Sequence, residues 1–346
     1  MLFNIENDFG DKIVGYIVPD AFTETPAVKV LSQGTEILRL TANDPREALV
    51  QAGRHGTGLC GFSIGTDLIP ELPGLTDLEI YELSTDILIY RRPQPGQTQA
   101  KVLRLETHLF PLWRLDGSFD YLFQYFNKGL ERFGRETVTQ LFLLHQINSV
   151  YLAGRILYKN YAYYIDQGFE MTVLIQDPYR EFAERILVLQ QLDRLGTQYL
   201  GERDGNRFEP AVQFFKGLDV TNPKAVKKAL NEMPVEIAHL MVDPVTRQLV
   251  TSTPDEMPTG ASLAACLDIL SECKVVGLRE EPELYMNALG SWFGIDPMSL
   301  PSIPQFPKAE ALATIIAESR MVNHLIERDL ELYWQVRSAL ADVSTD

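Results

Sequence analysis

Cysteine and positive charge are scarce in this chain of 346 residues. There are three cysteines, Cys60, Cys266 and Cys273, and an odd number at this spacing fits neither a zinc site nor a framework of disulfides. Lys and Arg number 31 against 47 Asp and Glu, which gives a net charge of −16. That charge excludes a general nucleic-acid binder and disfavours adhesion to an anionic membrane surface, because both need clustered Lys and Arg. A local basic pocket stays compatible with it, since net charge does not say where charges lie.

Long apolar runs are also missing from the sequence. No stretch approaches the ~20 apolar residues of a membrane span, and residues 1–10 are acidic and lack a basic leader. We therefore predict a cytoplasmic protein without a membrane span. Hydrophobic residues make up 45% and charged residues 23% of the chain, values typical of a globular protein with room for two domains.

Residues 1–90 are predicted to form a small all-β domain, either a sandwich or a barrel. Short apolar or alternating runs are separated by turn residues and lie at Lys12–Val18, Ala27–Leu31, Glu36–Leu40 and Leu78–Tyr90. A helical turn is indicated only at Arg46–Ala52. The segments Gly15–Asp20 and Gly58–Phe62 resemble a β-module that is fused to bacterial glycan-modifying transferases.

Residues 91–100 are predicted to be a linker, because two prolines, one glycine and three glutamines precede any apolar residue and such a run should stay out of a core. From there to residue 346 the pattern predicts an α/β domain. Strands are predicted at Lys101–Leu109, at either Leu141–Leu144 or Ser149–Ala153, and at Met171–Ile175; helices at 119–133, beyond Pro178, near 223–232, at 262–272 and at 308–341; and a polar turn at 202–206. Alternating strands and helices favour a parallel sheet flanked by helices.

The loop Pro111–Ser118 follows the first predicted strand and precedes a helix. Backbone N–H groups and the positive end of a helix dipole at such a turn can hold an anion, with Arg114 adding a cation and Ser118 a hydroxyl. The alternative is that Asp116 or Ser118 caps the helix and Gly117 makes the turn without any ligand.

The segment Gln176–Arg185 is placed in the same way, at a strand end before a helix. Ligands of open α/β sheets bind at the carboxyl ends of strands, so Arg180 and Arg185 could hold a phosphate. The alternative is that Asp177 caps the helix, Pro178 begins it, and both arginines are solvated. Asp243–Leu249 and Val275–Glu280 would each pass, alone, as a turn and a strand end.

Taken in order, these four segments resemble the membrane-type carbohydrate sulfotransferases and their bacterial relatives. That family has a loop Pro-Lys-Thr-Gly-Gly-Thr-Ser after the first strand, then Arg-Asp-Pro, a Thr-Arg-x-Leu stretch, Val-Gly-Leu-Thr-Glu, and a last helix ending Asp-x-x-Leu-Tyr. Here the corresponding residues are Trp113–Phe119, Gln176–Pro178, Thr246–Leu249, Val276–Leu278 and Asp329–Tyr333, over about 240 residues. The resemblance implies a P-loop-like, sulfotransferase-like parallel sheet and the sulfate donor phosphoadenosine phosphosulfate (PAPS), with a glycan as acceptor.

The resemblance also implies the cofactor positions. They correspond to Arg114, Gly117 and Ser118 in the first loop and to Gln176, Arg180 and Arg247 further on. Arg114 replaces the family's lysine, Gln176 its phosphate-binding arginine and Glu184 its helix serine. A carboxylate ~4 Å from a phosphate costs on the order of 4 kcal/mol at an effective dielectric of 20.

No base for the acceptor hydroxyl is found in its usual place. Gly154-Arg155 stands where many relatives carry Gly-His, and an arginine does not accept a proton at neutral pH. The catalytic candidates are therefore Arg114 with His108 or Asp116 as base, and no metal ligands are predicted.

Two hypotheses follow. The chain is a divergent sulfotransferase that moves sulfate from PAPS to a glycan hydroxyl, or it is a non-catalytic relative that binds or scaffolds in polysaccharide assembly. A sugar transferase that has acquired the β-module is a third reading, which no residue pattern supports.

Overall fold

The computed structural model describes residues 1–20, 25–195 and 200–343, with backbone alone at 193, 195, 342 and 343. The chain forms two compact units. The first comprises Met1–Lys101, Phe119–Asn127 and Gly134–Leu152; the second comprises Val102–Ser118, Lys128–Phe133 and the chain from Ala153 onward. The units therefore do not divide at a single point in the sequence.

Residues 1–91 form two antiparallel sheets. Their strands are β1 (Leu2–Asp8), β2 (Lys12–Val18), β3 (Ala27–Ser32), β4 (Thr35–Thr41), β5 (Asp44–Pro45), β6 (Leu59–Gly65), β7 (Glu79–Glu82) and β8 (Leu88–Arg91). One sheet has the order β1-β2-β6-β5 and the other β4-β3-β7-β8, with a short helix α1 (Glu47–Gln51) and a 3₁₀ turn at Leu72–Gly74. In β2, Ile13 and Ile17 are buried on one face, the period of two that the sequence shows. The predicted β-rich character of this region is confirmed.

The prediction that the run from Arg91 stays out of a core is wrong for its first two residues. Arg91 and Arg92 are 9% and 8% exposed. The Arg91 guanidinium donates to Glu79 at 2.6 Å and to Asp120 at 2.8 Å, and Arg92 makes two bonds to Asp8 at 2.8 and 3.0 Å. Ion pairing is what allows these charged side chains to be buried.

A five-stranded parallel sheet follows in the chain, flanked by helices. Its strands are β9 (Lys101–Leu105), β10 (Tyr125–Lys128), β11 (Val150–Gly154), β12 (Phe169–Ile175) and β13 (Val275–Leu278), in the order β10-β11-β9-β12-β13. Thr172 of β12 stands opposite Val275 of β13 at the start of their parallel register. The predicted α/β class is confirmed.

The helices are α2 (Trp113–Gly117), α3 (Arg135–Phe142), α4 (Ala162–Ile165), α5 (Pro178–Leu195), α6 (Gly201–Phe215), α7 (Pro223–Asn231), α8 (Val235–Met241), α9 (Pro244–Val250), α10 (Ser262–Ser271), α11 (Pro282–Phe293), α12 (Pro307–Ala317), α13 (Arg320–Leu325) and α14 (Glu327–Val343). Short 3₁₀ turns lie at Asp120–Leu122, Leu130–Arg132, Tyr158–Asn160 and Pro297–Ser299. None of the helices within the described ranges is both long and apolar enough to cross a membrane.

The apolar core of the second unit packs α5 against α6, α7 and α12. Phe182, Ile186 and Leu189 of α5 are at most 1% exposed, as their spacing on one helix face predicts. At the edge of the sheet, Gly277 of β13 leaves room for Tyr285 of α11, because a Cβ at position 277 would overlap the tyrosine ring. This close packing is a physical reason for glycine in the Val-Gly-Leu segment.

Several predicted elements are wrong. The apolar spacing from Phe119 to Phe133 does not form an α-helix: two 3₁₀ turns and β10 share that region, and Gly129 has a left-handed φ of 76° that interrupts any helix. Of the two alternatives for the second predicted strand, Ser149–Ala153 corresponds to β11, whereas Leu141 lies in α3.

Two polar segments that were predicted as turns are helical. Glu202–Asn206 lies in the first turns of α6, and 244–249 lies in α9. The single final helix predicted at 308–341 is three helices, α12 to α14.

Candidate functional site

The carboxyl ends of β9, β12 and β13 meet at one edge of the parallel sheet. Glu106 follows β9, Gln176 follows β12 and Arg279 follows β13. The Thr107 hydroxyl donates to the carbonyl of Leu174 at 2.7 Å, which ties the first two ends together. After β9 the chain crosses to β10 on one side of the sheet, and after β12 it crosses to β13 on the other side. Ligands of open α/β sheets bind where neighbouring strands diverge in this way, which here is at the carboxyl ends of β9 and β12.

Glu106 fills the turn between β9 and α2. Its carboxylate accepts backbone N–H groups from His108 at 3.1 Å and from Leu112 at 2.7 Å, and a guanidinium N–H from Arg104 at 2.9 Å. The side chain is fully buried. Burial opposes its ionisation, but Arg104 and His108 hold the pKa of Glu106 below its usual range. Amides that the sequence predicts for an external anion therefore bind the chain's own carboxylate.

Asp116 faces the same buried group. Both of its oxygens accept from Arg104, at 2.5 and 2.7 Å, and both side chains are at most 1% exposed. This bidentate pair holds the Asp116 side chain of α2 in the protein interior, away from solvent. We call Arg104, Glu106, His108 and Asp116 the strand-end cluster.

His108, the other predicted base, is 1% exposed. Its Nδ1 lies 2.9 Å from Glu106, and its Nε2 is buried without a hydrogen-bond partner among the described residues. A general base must lie within hydrogen-bond reach of the proton that it takes. In this conformation His108 is enclosed by protein.

The remaining residues of the predicted first loop lie elsewhere. Arg114 and Gly117 are exposed on α2, whereas Leu115 and Asp116 of the same helix are buried. The Ser118 hydroxyl donates to the carbonyl of Leu115 at 2.6 Å. The structure does not bring Arg114 and Ser118 together with the amides around Glu106.

Gln176 belongs to a second closed group. Glu184 accepts from the Gln176 amide at 2.8 Å and from Arg279 at 2.7 Å, and Arg279 also donates to Gln176 at 2.6 Å. All three are at most 6% exposed. Burial raises the pKa of Glu184, although Arg279 opposes that rise.

Asp177 caps α5, as the structural alternative predicted. Its carboxylate accepts the N–H groups of Tyr179 at 3.0 Å and Arg180 at 3.1 Å, and Pro178 is the first helical residue. The Arg180 side chain pairs with Glu310 at 2.9 Å and lies 3.8 Å from Glu280. Arg180 is therefore engaged by carboxylates and Arg185 is 4% exposed, so the expectation that both arginines are solvated is wrong.

Arg247, the last predicted cofactor residue, lines a different cavity. With it are four further arginines, so that the lining contains Arg155, Arg185, Arg203, Arg207 and Arg247. The volume of this arginine cleft is about 80 Å³, and the cleft is partly open to solvent. Arg155 follows β11, Arg185 belongs to α5, Arg203 and Arg207 lie one turn apart on α6, and Arg247 is on α9.

Three side chains that line the arginine cleft donate hydrogen bonds to backbone carbonyls of the loop after β9. Arg155 donates to the carbonyl of His108 and Arg185 to that of Thr107, each at 3.3 Å, and the Gln248 amide donates to the carbonyl of Glu106 at 2.7 Å. The cleft therefore lies next to the turn that Glu106 fills.

Sequence reasoning missed this cleft because α6 was predicted as a polar turn. The available signal was the pair Arg203 and Arg207, since residues four apart share one face of a helix. The sequence draws attention to Arg155 only because many relatives carry a histidine at its position.

The last helix positions Arg247. Asp329 of α14 accepts the N–H groups of Val245 at 3.0 Å and Thr246 at 2.8 Å, and so caps α9 from outside. Asp243 accepts the N–H groups of Arg328 and Asp329 in return, at 3.0 and 3.2 Å. The Thr-Arg and Asp-x-x-Leu-Tyr segments, which lie 83 positions apart, therefore meet in the fold.

The sequence matches no protein-family model and no curated protein. The sulfotransferase resemblance therefore stays a prediction that depends on the segments quoted above.

Proposed function

We propose that residues 101–346 are a sulfotransferase-like α/β domain that binds or scaffolds in polysaccharide assembly and does not transfer sulfate. The observation that carries this proposal is Glu106, whose carboxylate accepts the backbone N–H groups of the turn after β9. A donor phosphate needs those same amides. The sheet order and the meeting of α9 with α14 support the α/β framework of the proposal.

Electrostatics argues against a donor nucleotide at this turn. A phosphate brought to ~4 Å from the Glu106 carboxylate is repelled by roughly 4 kcal/mol at an effective dielectric of 20. Moving Glu106 aside would leave the buried guanidinium of Arg104 without one of its partners. Breaking a buried ion pair in this way typically costs about 3–5 kcal/mol.

The Gln176, Glu184 and Arg279 group adds a second obstacle. The resemblance puts the 3′-phosphate of PAPS at Gln176 and Glu184, and here the two side chains bond to each other. Arg279 could attract a phosphate, but its Nη1 already donates to both partners.

One observation favours the transferase alternative. Arg247 and the other arginines of the cleft form a cationic site that could hold the anionic groups of PAPS near a glycan acceptor. In that case the donor would bind beside the turn, and the acceptor base would still have to be assigned.

A transfer assay tests the proposal. The full chain is incubated with radiolabelled PAPS and a mixture of neutral and acidic polysaccharides, and label in polymer is measured. We expect label no higher than in the protein-free blank. Transfer above that blank would contradict the proposal, and its loss in Arg114→Ala would place Arg114 in a working donor site. Arg320→Ala, at an exposed arginine of α13, is the matched control.

A further inference from the structure

Five guanidinium groups converge in a chain whose net charge is −16. They come from four separate parts of the second unit, so no single helix face explains their clustering. Arg155, Arg185 and Arg247 are at most 10% exposed. Burying like charges together is unfavourable unless an opposite charge compensates them.

The carboxylates near the cleft compensate only part of this charge. Asp204 is the one carboxylate among the described lining residues, and its two oxygens bond to Arg155 at 3.0 Å and to Arg203 at 2.9 Å. Glu181 pairs with Arg185 at 2.7 Å from outside the lining.

Arg207 and Arg247 are held by neutral groups. Both donate to the carbonyl of Pro254, and Arg247 donates also to the carbonyl of His239. Nε of Arg207 is buried and has no hydrogen-bond partner in the part of the chain that the structure describes. The negative charge of Asp255 favours the protonated form of both arginines.

The pKa values of both arginines are lowered. Burial, with Arg207 and Arg185, lowers the pKa of Arg247 to about 10. Burial likewise lowers the pKa of Arg207; Asp204 and Asp255 oppose this, while Arg185 and Arg203 reinforce it. A bound anion would relieve this repulsion.

We infer that the arginine cleft binds a tetrahedral oxyanion, the phosphate or sulfate group of a monoester. Guanidinium forks match the oxygen geometry of such groups, and a convergent set supplies several charge-assisted hydrogen bonds at once. Because the cleft is partly open to solvent, the organic part of the ester can extend out of it. The inference goes beyond the proposed function and does not need it, since an inactive and an active protein could both hold an anion here.

Thermal unfolding at constant ionic strength tests the inference. Sodium sulfate or sodium phosphate replaces sodium chloride stepwise, and the midpoint of unfolding is recorded. We expect a saturable rise with either dianion, because a ligand that binds only the folded chain stabilises it. Parallel titrations with glucose 6-sulfate and glucose 6-phosphate show which ester binds more tightly, and either order supports the shared site.

Two cleft variants and one control locate the effect. Arg207→Gln should weaken dianion binding about ten- to hundredfold, the loss expected for one hydrogen bond to a charged group. Arg203→Gln changes a side chain that is 61% exposed, so it should fold normally and still weaken binding. Arg320→Gln, at an exposed position of α13, should bind as the wild type does.

No saturable rise in the wild type, or an equal rise in all three variants, would overturn the inference. Neither result would bear on sulfate transfer, and sulfate transfer by a chain that does bind dianions at the cleft would overturn the proposed function alone. The two ideas therefore fail separately.

Discussion

Arg104 keeps its positive charge although only 1% of its surface is exposed. Two carboxylates make this possible: Asp116 binds it through both oxygens and Glu106 through one. Paired in this way, the charges replace the hydrogen bonds that they lose on leaving water. The same pairing holds Glu106 against the amides of the turn, so the positions of single side chains close the predicted anion site.

Removing Asp116 should destabilise the fold. In Asp116→Ala the Arg104 guanidinium loses its bidentate partner in a buried site, and we expect the free energy of unfolding to fall by about 3–5 kcal/mol. Urea unfolding measures it. Arg114→Ala, on the exposed face of the same helix, should change that free energy by no more than about 0.5 kcal/mol. Equal and small effects of both changes would show that Asp116 is not held as described.

These residue pairs could not be predicted from the sequence. The sequence predicts that Asp116 lies in a loop after a strand, where its carboxylate would cap a helix or belong to a ligand site. Its actual partner depends on where β9 places Arg104, 12 positions earlier, and Glu184 meets Arg279 over 95 positions. By contrast, the Asp177 cap of α5 is local, and the sequence predicts it.

At the scale of elements, α9 depends on α14. Asp329 is fully buried and caps α9, with Asp243 beside it and Arg328 paired to Asp243 at 3.1 Å. Burial, followed by the charge of Asp243, raises the pKa of Asp329 from 3.8 to about 6. Burial also raises the pKa of Asp243.

This coupling predicts a pH dependence of stability. Between pH 4 and pH 6 the folded chain retains a proton on Asp329 that the unfolded chain has released. The free energy of unfolding should therefore fall as pH rises through this range, by up to about 3 kcal/mol for this group. Asp329→Asn cannot ionise and should lose that part of the slope, although it also loses one acceptor for the α9 amides.

Chemical denaturation of both proteins at several pH values between 4 and 7 measures the effect. The difference in stability between wild type and Asp329→Asn should change with pH in the stated direction. A difference that stays constant over this range would contradict a raised pKa at Asp329.

Elements were predictable where a local signal was strong. An apolar run bounded by turns predicts β12, and proline after a capping aspartate predicts the start of α5. The Phe119–Phe133 stripe misled because residues of loops and of β10 also face a core, and an apolar spacing of three or four is not unique to helices. Gly129 was the available sign against a helix.

At the scale of the whole molecule, a strongly acidic chain contains a concentrated cationic cleft beside a turn that its own carboxylate fills. Composition predicts the net charge but not this separation of charges, because the arginines come from β11, α5, α6 and α9. A nucleotide could bind either at the turn after β9 or in the arginine cleft, and two variants distinguish these sites.

Calorimetric titration with 3′,5′-phosphoadenosine is the most direct measurement of whether the turn after β9 is closed. The wild type, Arg207→Gln and Arg114→Ala are titrated under identical salt. We predict that any heat of binding in the wild type belongs to the arginine cleft, is lost in Arg207→Gln and persists in Arg114→Ala. Saturable binding that Arg207→Gln leaves unchanged and Arg114→Ala abolishes would show an open donor site and contradict the account.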